Sequence, residues 1–151
     1  MKVINLGKIV FLFFIMILIF CFSQQDGISS SSFSNNVNNW LIQIFPFIQK
    51  IPYYSYLIRK MGHILEFLVL FIALFLFFAI KKSIHDSSLY ALILTFLFAI
   101  FDEFHQLFIS GRCGTVTDVY IDILFPTFFS FSILLFCFKK HLIAFELKNI
   151  I

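Results

Sequence analysis

The chain has 151 residues, of which 61% are hydrophobic and 13% charged, with 25 phenylalanines and a net charge of +3. A soluble domain of this size carries roughly 45–50% apolar and about 25% charged residues, and its interior is too small to hide so much apolar surface. The composition therefore excludes an ordinary soluble domain and implies an integral membrane protein. No basic run interleaves with aromatics in a polar context, which argues against nucleic acid as a partner. Cys21, Cys113 and Cys137 are widely spaced and form no CxxC pair, which argues against a zinc knuckle or a disulfide framework.

A helix that crosses a bilayer takes about 20 mostly apolar residues. The first candidate is about 9–22, IVFLFFIMILIFCF, preceded by Lys2 and Lys8. It is short, and a signal peptide is the alternative. Phe20, Cys21 and Phe22 occupy the place where a cleavage site needs small residues, which favours an uncleaved anchor. The stretch 23–39, SQQDGISSSSFSNNVNN, reads as a polar low-complexity loop within an outer segment 23–60. From Trp40 to Gln49 the chain is apolar again, but Pro46 interrupts it and it is too short to cross. That pattern predicts a short interfacial or re-entrant helix, with Trp40, Tyr53, Tyr54 and Tyr56 at headgroup level.

The second span is expected at about 61–80, closed by Lys81-Lys82. The third is expected at 88–108, followed by the turn glycines Gly111 and Gly114, and the fourth at 116–138, closed by Lys139-Lys140. Pro126 is expected to bend the last helix. The final HLIAFELKNII reads as a short amphipathic tail. The fold class is all-α: a polytopic bundle of four transmembrane helices in a single membrane domain, 1–151.

Lysine and arginine set the orientation. With the N-terminus inside, the inner segments hold Lys2, Lys8, Lys81, Lys82, Lys139, Lys140 and Lys148, against Lys50, Arg59, Lys60 and Arg112 outside. The excess predicts four spans with both termini inside.

That topology brings distant polar residues to one depth. His63 and Glu66 fall in the outer turns of the second span, three residues apart on one face. Asp102, Glu103, His105 and Gln106 fall in the outer turns of the third, with Asp102, His105 and Gln106 expected on one face. Asp118 and Asp122 lie one turn apart at the outer start of the fourth. A lone Asp at a helix centre costs about 2.5–3.5 kcal/mol on insertion scales, so these groups should face one another and a wet cavity. Simpler readings stand beside this one. Arg59 and Lys60 also fit a snorkelling helix end, Asp118 also fits a first-turn acid, and His85-Asp86 reads as solvated.

The three polar elements match a known pattern. Arg59-Lys60-Met61-Gly62-His63 with Glu66, then Asp102-Glu103-Phe104-His105-Gln106, then Gly111-Arg112-Cys113-Gly114 with Asp118, together resemble the VanZ-like family of bacterial membrane proteins. Phe22-Ser23-Gln24-Gln25 matches that family's F-S-x-Q element, and the resemblance covers about 10–138. The chain departs from the pattern at Asp122, where the family often has Asn, and at Phe125, where it often has Gly. The resemblance implies a role like that of the member that names the family, low-level resistance to the glycopeptide teicoplanin.

Three functions follow as expectations. The first is an outward-facing pocket for an envelope lipid or glycopeptide-like amphiphile, built from Arg59, Lys60, His63, Glu66, Asp102, Glu103, Gln106, Arg112, Asp118 and Asp122, with Arg59, Lys60 and Arg112 meeting anionic groups. The second is an intramembrane hydrolase or transferase on a lipid-linked precursor, with His63 or His105 as general base and Glu66, Asp102 or Glu103 orienting it. A divalent metal is permitted by this acidic set but not required. The third is an ion-coupled carrier, which with four spans would call for oligomerisation.

Overall fold

The computed structural model describes residues 6–150, with side chains described for 6–140. Lys2, the side chain of Lys148 and the side chains of the final HLIAFELKNII lie outside the described residues. The order is α1 (Leu6–Ser23), α2 (Gly27–Ile44), a 3-10 turn (Pro46–Lys50), α3 (Tyr54–Phe78), α4 (Ile84–Gln106) and α5 (Val116–Ile150). There is no strand among the described residues. The segments Leu6–Ser23, Tyr54–Phe78, Ile84–Gln106 and Val116–Lys140 are each long and apolar enough to cross a membrane. The chain is thus a four-span helical membrane protein, as its composition implies.

Helices α3, α4 and α5 pack on one another, and α1 lies mainly against α3. The core is a knot of large residues on α3, chiefly Phe67, Leu70 and Phe71, set against small ones on α4. Ser88, Ala91, Thr95 and Ala99 recur every three or four residues along α4 and are fully buried. Small side chains let helix backbones approach closely where lipid provides no hydrophobic drive. Ser88 and Ser130 then join α4 to α5 through their hydroxyls at 2.8 Å. The outer surface is Phe, Leu and Ile, which suits contact with the bilayer.

One expectation is overturned. The polar stretch 23–39 is not a loop: most of it belongs to the 18-residue helix α2. Asp26 caps that helix, accepting the Ser29 N–H at 2.6 Å, and this bond holds its carboxyl below the usual range. Serine ordinarily disfavours a helix by competing for backbone groups. Here the competition is resolved within the helix, because the Ser31 and Ser34 hydroxyls donate to the carbonyls of Gly27 and Ser30. Pro46 ends α2 and opens the 3-10 turn, since it has no N–H to offer. The short apolar helix expected from Trp40 is the last turn of α2 plus this turn.

The other boundaries differ by less. Helix α3 begins at Tyr54 rather than 61, so Arg59 and Lys60 lie within the helix and not ahead of it. Helix α4 begins at Ile84, where Ser83 accepts the Asp86 N–H at 3.0 Å as its cap. Helix α5 is assigned unbroken across Pro126, which is fully buried. Its backbone runs on to Ile150.

Candidate functional site

Four helix ends meet at one end of the bundle: the C-termini of α1 and α4 and the N-termini of α3 and α5. Helix α2 and the α4–α5 loop cover that end. Two kinds of polar residue are found there, those that hold the end together and those that line a cavity.

Arg112 belongs to both. Its Nε donates to the Gln25 carbonyl at 3.0 Å and its Nη2 to the Phe22 carbonyl at 3.0 Å. These carbonyls lie at and beyond the last turn of α1, where helix geometry leaves carbonyls short of intrahelical donors. The Phe22 carbonyl otherwise accepts only the Gln25 N–H, at 3.3 Å, and a cation there also suits the helix dipole. Gly27 N–H donates to the Ser110 carbonyl at 3.0 Å. The α4–α5 loop is thereby tied to the α1–α2 joint. Burial, and then the charge of Arg59, pull the Arg112 guanidinium below its ordinary value.

The glycines of the G-R-x-G element make this approach possible. Gly111 has φ of 73°, in the region that favours glycine, and a β-carbon on Gly27 would overlap the Gly111 carbonyl. Gly114 lies against the backbone of α4, where a β-carbon would overlap the Glu103 carbonyl oxygen.

Glu103 and Asp118 are also committed to the scaffold. The Glu103 carboxylate accepts the Thr115 N–H at 2.8 Å, and Asp118 forms an ion pair with Lys60 that joins α5 to α3. Asp118 is thus a partner of Lys60 in the first turn of α5, where Thr115 Oγ1 accepts its N–H at 3.2 Å. Asp122 is 1% exposed, with Oδ2 lacking a hydrogen-bond partner among the described residues. It is not in the wall of the cavity.

The cavity encloses about 120 Å³. Its ionisable lining is Arg59, His63 and Glu66 from α3, Asp102 from α4 and Arg112 from the loop. Two guanidinium groups and two carboxyls balance with His63 neutral. Gln106 Nε2 donates to Asp102 Oδ2 at 2.8 Å and fixes that carboxyl from the next turn. His63 Nδ1 is 4.0 Å from Glu66 Oε2 and has no hydrogen-bond partner among the described residues.

Helix α2 forms the roof. Ser30 and Ser34 line the cavity one turn apart, with Phe33 and Val37 beside them. Asn38 is buried one turn further on and donates to the Ser55 hydroxyl at 3.0 Å, which fastens α2 to the start of α3. The wall from α1 holds Phe22 and Ser23, with Gln25 just beyond, so the F-S-x-Q element is part of the chamber.

The structure therefore gathers five of the expected residues, Arg59, His63, Glu66, Asp102 and Arg112, around one space. Lys60, Glu103, Gln106 and Asp118 support it from behind through the bonds described above. His105 turns away from it: its ring stacks on Phe20 at 5.0 Å and on Phe101 at 6.4 Å. At roughly 100° per residue, positions 105 and 106 fall on opposite flanks of position 102, and only Gln106 turns toward the carboxyls. Ser30 and Ser34 went unnoticed in the sequence because their stretch reads as a loop. The spacing of Ser30, Ser34 and Asn38 behind the Asp26 cap is the signal for an inward helical face. Among the described residues no three of His, Cys, Asp and Glu come together in a way that could hold a metal ion.

These features define a class: a small polytopic helical membrane protein with a roofed polar chamber at one end of its bundle. The VanZ/LLP1 family model matches residues 8–135, and the chain belongs to that VanZ-like family. No curated protein and no solved structure matches the chain.

Proposed function

We propose that the chain acts as a single membrane domain in a bacterial cytoplasmic membrane, with both termini inside and the chamber facing outward. In that reading the chamber binds the polar head of an envelope lipid or glycopeptide-like amphiphile and contributes to tolerance of glycopeptides such as teicoplanin. One observation carries it: side chains from α3, α4 and the α4–α5 loop bring both signs of charge and a histidine to a single chamber in an otherwise apolar bundle. Ionisable groups within a membrane bundle are costly and mark functional sites by default. The excess of lysine at the other end supports the orientation.

The hydrolase reading has less support. The His63–Glu66 separation of 4.0 Å exceeds a hydrogen bond, and the acidic residues offer no set of metal ligands among the described residues.

Arg59 and Glu66 are suited to test the reading, because neither takes part in the bonds that tie the loop to the α1–α2 joint. Arg59→Gln and Glu66→Gln are each expected to lower teicoplanin tolerance to that of cells without the protein, at unchanged abundance in the membrane. Wild-type tolerance in both variants would sink the proposal.

A further inference from the structure

A second space lies beside the chamber, and it is apolar. It lies between α1 and α3, encloses about 230 Å³, and is walled by Ile15, Leu18, Leu65 and Val69. Ile19, Phe22 and Glu66 border both spaces, so the polar chamber and the groove adjoin at the Glu66 side chain. Leu65 and Val69 are 54% and 38% exposed, which leaves the groove open toward the bilayer.

The order of chemistry along this path is informative. Helix α1 runs toward the chamber and α3 runs away from it. Ile15 and Leu18 on α1, and Val69 on α3, therefore lie further down the bundle than Phe22 and Arg59. With a rise of about 1.5 Å per residue, Glu66 lies roughly 10 Å below Arg59 along α3, and Val69 a further ~5 Å down. From the end of the bundle inward the path offers guanidinium groups (Arg59, Arg112), then carboxyls (Glu66, Asp102), then hydrocarbon.

A ligand that matches this order has its anionic group outermost, a hydrogen-bond donor next, and its chain innermost. Guanidinium forks pair well with phosphate, and Arg112 retains donors beyond the two it gives to carbonyls. Ser30 and Ser34 also line the chamber, the Ser34 hydroxyl already donating to the Ser30 carbonyl at 2.9 Å. The carboxyls beneath would repel a phosphate and accept from a hydroxyl or an amine. We propose that the ligand is a phosphate-bearing amphiphile that enters laterally from the bilayer. Its phosphate lies at Arg59 and Arg112, a hydroxyl or amine next to the chain lies at Glu66 and Asp102, and its acyl chain lies in the α1–α3 groove. This rests on the chamber being a binding site and adds the route of entry and the order of groups.

Lysophosphatidylglycerol has one chain, free hydroxyls and a phosphate, and it serves as the probe. The purified protein in detergent is irradiated with a form carrying a diazirine in the acyl chain, and labelled residues are mapped by mass spectrometry. Label is expected within Ile15–Phe22 and Leu65–Val69, reduced about tenfold by excess unlabelled probe. Leu65→Trp and Val69→Trp, each at a lipid-exposed position, fill the groove and should remove most of the competed label, as should Arg59→Gln. If Arg59→Gln removes the competed label while both tryptophan variants keep it, the chain lies elsewhere. The lateral route is then overturned and the chamber reading stands. If the label is neither competed nor changed by Arg59→Gln, both fall.

Discussion

Alanine at Gly27 or Gly114 is expected to destabilise the protein as strongly as any single methyl group added to it. At each position the new β-carbon meets a backbone carbonyl, of Gly111 or of Glu103. A flexible side chain could swing aside, but these carbonyls are held by the α4–α5 loop and by α4 itself. Overpacking in a closed interior costs about 1–3 kcal/mol, occasionally more, and backbone on both sides places these sites at the upper end. For a chain of this length about 3 kcal/mol corresponds to a fall in Tm of roughly 6–12 °C. Gly62→Ala supplies the control, because a β-carbon there has nothing within 4 Å. An alanine within a helix is favoured over glycine by about 0.5–1 kcal/mol, so this variant should match or exceed the parent in Tm. If Gly27→Ala and Gly114→Ala melt with Gly62→Ala, the loop is not seated as described.

The second large effect is expected at Arg112. Replacing it by alanine removes the donor to the Gln25 carbonyl and the shorter of two donors to the Phe22 carbonyl, and leaves the loop tied to the α1–α2 joint by the Gly27–Ser110 backbone bond. Hydrogen bonds to a charged group contribute about 1.5–3 kcal/mol each. The bond to Phe22 is exposed and that carbonyl keeps the Gln25 N–H, so a loss at the low end of the sum, roughly 3 kcal/mol, is expected for the pair. Lysine should not restore it, because the two bonds come from Nε and Nη2 of one planar group and an ammonium has no such fork. This separates two roles. If Arg112→Lys keeps full thermal stability in detergent but loses glycopeptide tolerance, the Arg112 guanidinium serves the ligand and not the tie between loop and helix.

Much of this end of the bundle was legible in the sequence. Acidic, basic and histidine residues in apolar surroundings mark Arg59 to Glu66, Asp102 to Gln106 and Gly111 to Asp118, and alternating topology brings the three together. What the sequence did not disclose was the division of labour. Arg112 beside a carbonyl and Arg112 beside a phosphate look the same in one dimension, as do Asp118 paired with Lys60 and Asp118 facing a ligand. Lys60 and Arg59 are adjacent in the chain yet roughly 100° apart around α3, which sends one to Asp118 and the other to the chamber. The larger omission was α2. Its serines and asparagines resemble a linker by composition, but Ser30, Ser34 and Asn38 are spaced for one helical face. That face covers the chamber, and periodicity there carried more information than polarity.

Ligand binding as proposed requires the chamber to be open to the outside of the cell beneath α2. With Cys21, Cys113 and Cys137 replaced by alanine, a single Ser34→Cys places a thiol in its roof. A membrane-impermeant maleimide applied to intact cells is predicted to label that thiol, and prior addition of lysophosphatidylglycerol is predicted to slow the labelling. Labelling that requires permeabilised cells, or that proceeds unchanged in the presence of the lipid, would contradict it.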